Sequence, residues 1–143
     1  MERKLCRIAA LLIALLIALT ALLGREHSIN KNHQERIDLL VDSGLSDSKD
    51  AFLSYLKEAK SEDFLFGVSS FGLVKNLYPE TTYHDDKYSA VISNAYAKLL
   101  FSNDLNSHEL YVLVDALSAL ERNPLDVTGY TGLQLFVDYS DYS

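Results

Sequence analysis

Tyr83-His84-Asp85-Asp86 is where this chain concentrates side chains able to do chemistry: one imidazole beside two carboxylates, with a distant His108 available to join them in a fold. That donor set belongs to a transition-metal site or to a hydrolytic acid–base pair. The spacing argues against both. Neighbouring residues at a helix start point in different directions, and none of His27, His33, His84 and His108 has a second histidine four residues away on one helical face. Asp85 and Asp86 stand instead in a first helical turn, where negative charge is favourable, and His84 reads as a surface residue beside them. No metal, no cofactor and no catalytic residue is expected; a metal-dependent or hydrolytic enzyme using His84 and Asp85 is the outside alternative.

Other chemistries have less to work with. There is no Gly-x-Ser-x-Gly turn, and Ser69-Ser70 falls inside a helical pattern rather than at an exposed elbow. Glycines are scattered too singly to cradle a phosphate, and no run alternates oxygen ligands around a glycine as a calcium loop does. The one cysteine, Cys6, lies near the N-terminus, so residues 25–143 have no thiol nucleophile and no disulfide.

The nine tyrosines, with no tryptophan, carry a different kind of information. Tyr78, Tyr83 and Tyr88 recur every five residues around Asp85 and Asp86. Tyrosine is enriched at protein interfaces, so this acidic, aromatic segment is the expected protein-binding surface. The competing reading has the tyrosines capping the edge of a helical core with their hydroxyls in water.

Three basic residues, Arg3, Lys4 and Arg7, precede Ile8–Leu23, which are 16 residues without a charge. As a helix that run spans roughly 24 Å, slightly under a bilayer's hydrocarbon thickness. Ile8, Leu12, Leu16, Leu19 and Leu23 are its expected membrane-spanning residues. The exit, Leu19-Thr20-Ala21-Leu22-Leu23-Gly24, offers no A-x-A cleavage site. Residues 1–24 are therefore a retained signal anchor or a cleaved signal peptide. The basic flank keeps the N-terminus in the cytoplasm and sends the rest into the periplasm or outside, secreted if cleaved. An exported part without cysteine, in a chain without an N-x-S/T acceptor, fits a bacterial inner-membrane or envelope protein.

Charge divides the chain the same way. Of 13 basic and 20 acidic residues, three and one lie in residues 1–24, so the remaining 119 residues carry −9. That excess excludes a nucleic-acid binder, which must neutralise phosphates, and suits a basic protein partner. The length allows one domain with a real core.

From Asn32 the chain repeats one grammar: a capping residue, an acid about three places on, then apolar residues at helical spacing. Residues 25–31 read as a juxtamembrane spacer, 32–124 as the helical domain and 125–143 as a C-terminal segment. The first helix runs from Asn32 through Ile37, Leu40 and Val41 to a stop at Gly44. A second starts at Ser46 or Asp47 and carries Phe52, Leu53 and Leu56. A third, from Ser61, lines up Phe64, Val68, Phe71 and Val74 before Pro79; Gly67 and Gly72 inside it predict a close helix–helix approach. A fourth starts near Thr82 with Tyr88, Val91, Ile92, Ala95 and Leu99. A fifth starts at Asn106 or Ser107 with Glu109 and ends before Pro124. Residues 131–139 fit a short helix or an alternating strand equally, and a terminal helix with a frayed end is expected from context.

Ser61-Glu62-Asp63-Phe64 matches Ser107-His108-Glu109-Leu110 at an offset of 46 residues, and the preceding helices match at 39. Two helices per unit at this period resembles HEAT or armadillo repeats over residues 47–124; an irregular helical bundle is the other architecture that fits. The expected fold is all-α, five or six helices in antiparallel hairpins behind the N-terminal helix. The expected function is a non-catalytic protein-binding domain at the bacterial inner membrane, an accessory or scaffold subunit. The alternative is a periplasmic immunity-type inhibitor whose acidic face covers a basic toxin.

Overall fold

The computed structural model describes the backbone of residues 2–102 and 105–139, with the side chains of Thr20 and of residues from 28 onward within that range. Among the described residues there are five α-helices, one 3₁₀ turn and no strand: α1 Glu2–Glu58, α2 Ser61–Leu77, the 3₁₀ turn Tyr78–Glu80, α3 Asp86–Phe101, α4 Ser107–Arg122 and α5 Val127–Asp138. The fold is all-α, as the capped helical spacing predicts. The chain divides into two compact units, 1–35 and 36–143. Ile8, Leu12, Leu16, Leu19 and Leu23, with the anchor or signal read from them, lie outside the residues whose side chains are described. Among the described residues no helix is long and apolar enough to cross a membrane. The described end of the first unit, from Ser28, is exposed helix, including part of the expected spacer, with Lys31 and Glu35 paired across one turn.

In the second unit the expected stop at Gly44 is not there. α1 runs on through Ser46 and Asp47, so two expected helices are one. The reason lies on the neighbouring helix. A Cβ at residue 44 would stand 2.8 Å from Val74 Cγ2 and 3.3 Å from the Ser70 carbonyl oxygen, so this glycine serves the close packing of α1 on α2 rather than a turn. Gly67 and Gly72 serve the expected close approach in the same way, against the rings of Phe52 on α1 and Tyr96 on α3. Buried Ser48 donates to the Gly67 carbonyl at 2.8 Å and Ser54 to Asp63 at 2.8 Å, so α1 and α2 form an antiparallel pair. α1 ends at Ala59, whose φ of 53° is left-handed and whose N–H donates to the Tyr55 carbonyl at 2.7 Å.

The other boundaries follow local signals. Asn106 and Glu109 cap α4 reciprocally: each side chain accepts the other's backbone N–H at 2.9 Å. Asp85, not Thr82, caps α3, accepting from the amides of Lys87 and Tyr88. The ambiguous terminal segment is helix α5, capped by Asp126. It buries Tyr130, Leu133 and Phe136, three residues apart, and lies against both α3 and α4, while α2 pairs with α3. Val41, Phe52, Phe71, Ala95, Leu117 and Phe136 are fully enclosed. Burial of each of the larger side chains stabilises the fold by about 1.5–3 kcal/mol relative to exposure.

One lysine fastens the C-terminal end of α5. The Lys98 ammonium donates to the carbonyls of Phe136 (2.7 Å) and Tyr139 (2.6 Å) and pairs with Glu109 Oε1 at 2.7 Å. Its three protons are thereby used on the end of α5 and the start of α4. A cation is favoured at a helix C-terminus, where carbonyls lack partners.

Candidate functional site

The expected binding segment lies between α2 and α3 and is held from beneath by α1. Asp38 accepts from the Thr82 amide at 2.9 Å and from the Thr82 hydroxyl at 2.6 Å. Asp42, one turn further along α1, accepts the Tyr83 hydroxyl proton at 3.1 Å. Buried Thr81 turns its hydroxyl back to the Tyr78 carbonyl at 2.7 Å. The loop is a fixed structure with two aspartates as its floor.

The three tyrosines of this segment have different fates. Tyr78 is 2% exposed and lies in the core, so it offers no surface to a partner. Tyr83 is half-buried above Asp42. Tyr88 stacks flat on Tyr130 of α5, ring centroids 3.7 Å apart and planes 2° from parallel. Tyr130 organises the group from outside the predicted segment: its hydroxyl donates to the Pro124 carbonyl at 2.8 Å and stands 3.1 Å from the Tyr78 hydroxyl. Burial pushes the phenols of Tyr78, Tyr83 and Tyr130 above their ordinary range, and the nearby Asp42 charge adds to the effect on Tyr83. Burial also raises the Asp42 carboxyl, against the Tyr83 hydrogen bond, which lowers it, while the charge of Asp38 raises it further.

The acidic residues meet water. Asp85 is occupied in capping α3, and Asp86 Oδ1 lies 3.0 Å from His84 Nε2. His84 packs edge-on against Tyr78 at 5.8 Å. His108 is not brought to it. Its ring packs at 5.4 Å from Tyr139, about 13 Å along α5 from the Tyr130 end. Among the described residues no three His, Cys, Asp or Glu side chains gather closely enough to hold a metal. Asp38, Asp42 and Tyr130 are the residues of this cluster that sequence reasoning missed. The spacing of Asp38 and Asp42 by one turn was the available signal, and it reads equally as a solvated helix face.

A second feature lies on α2. Val68, Phe71 and Val74 face the core, yet Leu65, Phe66 and Leu73 on the same helix are exposed, Phe66 to 56%. At the far end of α3, Leu100 and Phe101 are exposed as well. The clefts are small: about 190 Å³ between α3 and α5, about 170 Å³ beside Tyr55 and Phe64, and about 320 Å³ between α4 and α5. Compared with known proteins, the chain matches no family model, no curated protein and no solved structure.

Proposed function

We propose that this chain is a small acidic protein-binding domain without catalytic activity, exported by residues 1–24 and held at the bacterial inner membrane, where it serves as an accessory or scaffold subunit. The observation that carries the reading is α2. A surface helix ordinarily gives its outward face to polar residues. α2 buries Val68, Phe71 and Val74 inward, and on its outward face, beside exposed Glu62, Ser69 and Asn76, it leaves Leu65, Phe66 and Leu73 bare. Large apolar side chains gathered on one exposed face suit a surface that another protein covers. The acidic and imidazole groups around the Tyr78–Tyr88 segment support the same reading, because Asp38, Asp42, Asp85 and Asp86 are each bonded within the fold. Asp85 and Asp86 remain at its surface, where a basic partner's charge would meet them. The binding row on α2 replaces Tyr78 as the apolar part of the contact.

The test places a photo-crosslinking residue at Phe66, and separately at exposed Glu80, in the full-length chain expressed in a Gram-negative host. A discrete adduct from position 66 and none from position 80 is expected. No adduct at 66, or the same adducts at both, would overturn the reading. A carbonate wash of the same membranes tests the tether: the chain stays in the pellet if residues 8–23 anchor it and appears in the supernatant if they do not.

A further inference from the structure

The cleft of about 190 Å³ between the first turns of α3 and the N-terminal half of α5 is lined by Lys87, Tyr88, Val91, Val127 and Gln134, with Tyr130 behind Tyr88. Four of these side chains keep a group open to a ligand. Lys87 stands in the first turn of α3, where the helix dipole disfavours a cation. Its ammonium is in no ion pair among the described residues, since Asp85 is turned to backbone amides and Asp86 to His84. The Tyr88 hydroxyl makes no hydrogen bond among the described residues, although its ring is fixed flat against Tyr130. Val127, at the rim, is 60% exposed. Gln134 gives its amide N–H to Asp138 at 2.9 Å, which leaves its carbonyl oxygen without a donor. An unpaired cation, an unpaired hydroxyl and an unpaired carbonyl around one apolar cleft are polar groups that a ligand can engage.

The chemistry of the lining selects the ligand. The walls are apolar and aromatic, which suits a ring. An apolar cavity of about 150 Å³ is enough for benzene, so this one takes a single six-membered ring with one small substituent. Among the described residues that line it, Lys87 carries the charge, which selects an anion, and the Tyr88 hydroxyl is a second donor in the lining. We propose that this cleft binds a small aromatic carboxylate, with its ring between Val91 and Val127 against Tyr88 and its carboxylate on the Lys87 ammonium. The site is separate from the α2 row and does not depend on what covers that row. A ligand of benzoate's size in an open cleft binds with a dissociation constant on the order of a millimolar.

The test is a titration of the isotope-labelled full-length chain in detergent micelles with sodium benzoate, followed through its backbone amide resonances, with benzylamine as the charge-reversed control. Saturable shifts at Lys87, Tyr88, Thr131 and Gln134 with benzoate, and none with benzylamine, are expected. Lys87→Gln should weaken benzoate at least tenfold, the loss of a charge-assisted bond. Val127→Phe, at an exposed position that keeps the fold, should fill the cleft and abolish binding with Lys87 intact. Absence of saturation, an equal response to benzylamine, or wild-type affinity in either variant would overturn the proposal.

Discussion

Replacing Lys98 by methionine should be among the most damaging single changes available in this protein, and the structure allows its size to be worked out. The side chain is 12% exposed and its partner Glu109 6%. Methionine keeps most of the apolar stem that packs over the Phe136 ring, so the loss falls on the ammonium. Three bonds disappear, to the carbonyls of Phe136 and Tyr139 and to Glu109 Oε1. The carbonyls at the end of α5 are close enough to the helix terminus to take water in exchange. Glu109 is not so placed, and a buried carboxylate stripped of its cation costs about 3–5 kcal/mol. It keeps the Asn106 amide as a donor, which argues for the lower end, about 3 kcal/mol or roughly 15 °C in Tm for a domain of this size. Glu109→Gln should cost less, because glutamine's one oxygen keeps either the α4 cap or the Lys98 bond, and no buried carboxylate is left without its cation. In the double variant no uncompensated charge remains buried, so its cost should fall short of the two single costs added together by more than 1 kcal/mol. Urea unfolding of all four proteins, followed by far-UV circular dichroism, measures this. A Lys98→Met cost below about 1 kcal/mol, or strict additivity, would refute the argument that this pair is a buried, coupled fastening.

Three further changes test the backbone and the charge arrangement. Ala59→Gly should stabilise by about 0.5–1 kcal/mol in the same unfolding assay, because glycine removes the cost of a left-handed Cβ at the end of α1; a loss of stability would mean that α1 does not end there. Gly44→Ala should destabilise by about 1–3 kcal/mol, since the new Cβ meets both Val74 and a backbone carbonyl. A gain, as expected for an alanine in an ordinary helix interior, would refute the close packing of α1 on α2. Lys49 and Glu121 pair at 2.7 Å, and this hydrogen bond is the main cause holding the Glu121 carboxyl below its ordinary 4.5 and Lys49 above its ordinary 10.5. The stabilisation is therefore fully present between those two ordinary values. It is lost in acid as pH falls through the lowered Glu121 value, and in base as pH rises through the raised Lys49 value. Glu121→Gln should cost less than about 1 kcal/mol at neutral pH, the pair being partly exposed. Its deficit against the wild type should close in acid; a deficit unchanged there would refute the pairing.

What the sequence made legible was what a few neighbouring residues decide. The Asn106–Glu109 cap and the inward stripe of α3, Val91, Ile92, Ala95 and Leu99, are settled within one or two turns of chain, and the structure has both. Gly44 shows where that reach ends. A glycine in a helical pattern is either a stop or a place where another helix comes close, and the deciding atoms belong to Ser70 and Val74, far along the chain. The tyrosine segment shows the same limit. Tyr78 is enclosed and Tyr88 stacked by a partner, Tyr130, that lies 52 residues from Tyr78. Lys98, 38 and 41 residues before the carbonyls it binds, looked like any polar residue in a helix.

The bare row on α2 belongs to a different class, because its signal was present in the sequence. Assigning Phe64, Val68, Phe71 and Val74 to one face leaves Leu65, Phe66 and Leu73 on the other, interleaved with Glu62, Ser69 and Asn76, so large apolar side chains share the face that the helix gives to water. Period alone finds the inner stripe and is silent on the remainder. Asking what is left over after the stripe is removed separates α4, which leaves Ser107, Asp115 and Arg122 with one aromatic, Tyr111, for solvent, from α2, which leaves two leucines and a phenylalanine among Glu62, Ser69 and Asn76. A core-facing helix satisfies its burial with one face. The exposed apolar residues of α2 add little to the stability of the domain and lower its solubility, which is why we propose a partner surface there. Phe66→Glu should therefore leave the unfolding free energy within about 0.5 kcal/mol of the wild type while abolishing the crosslink from a probe placed at neighbouring Leu65, and a large loss of stability instead would return that face to the core.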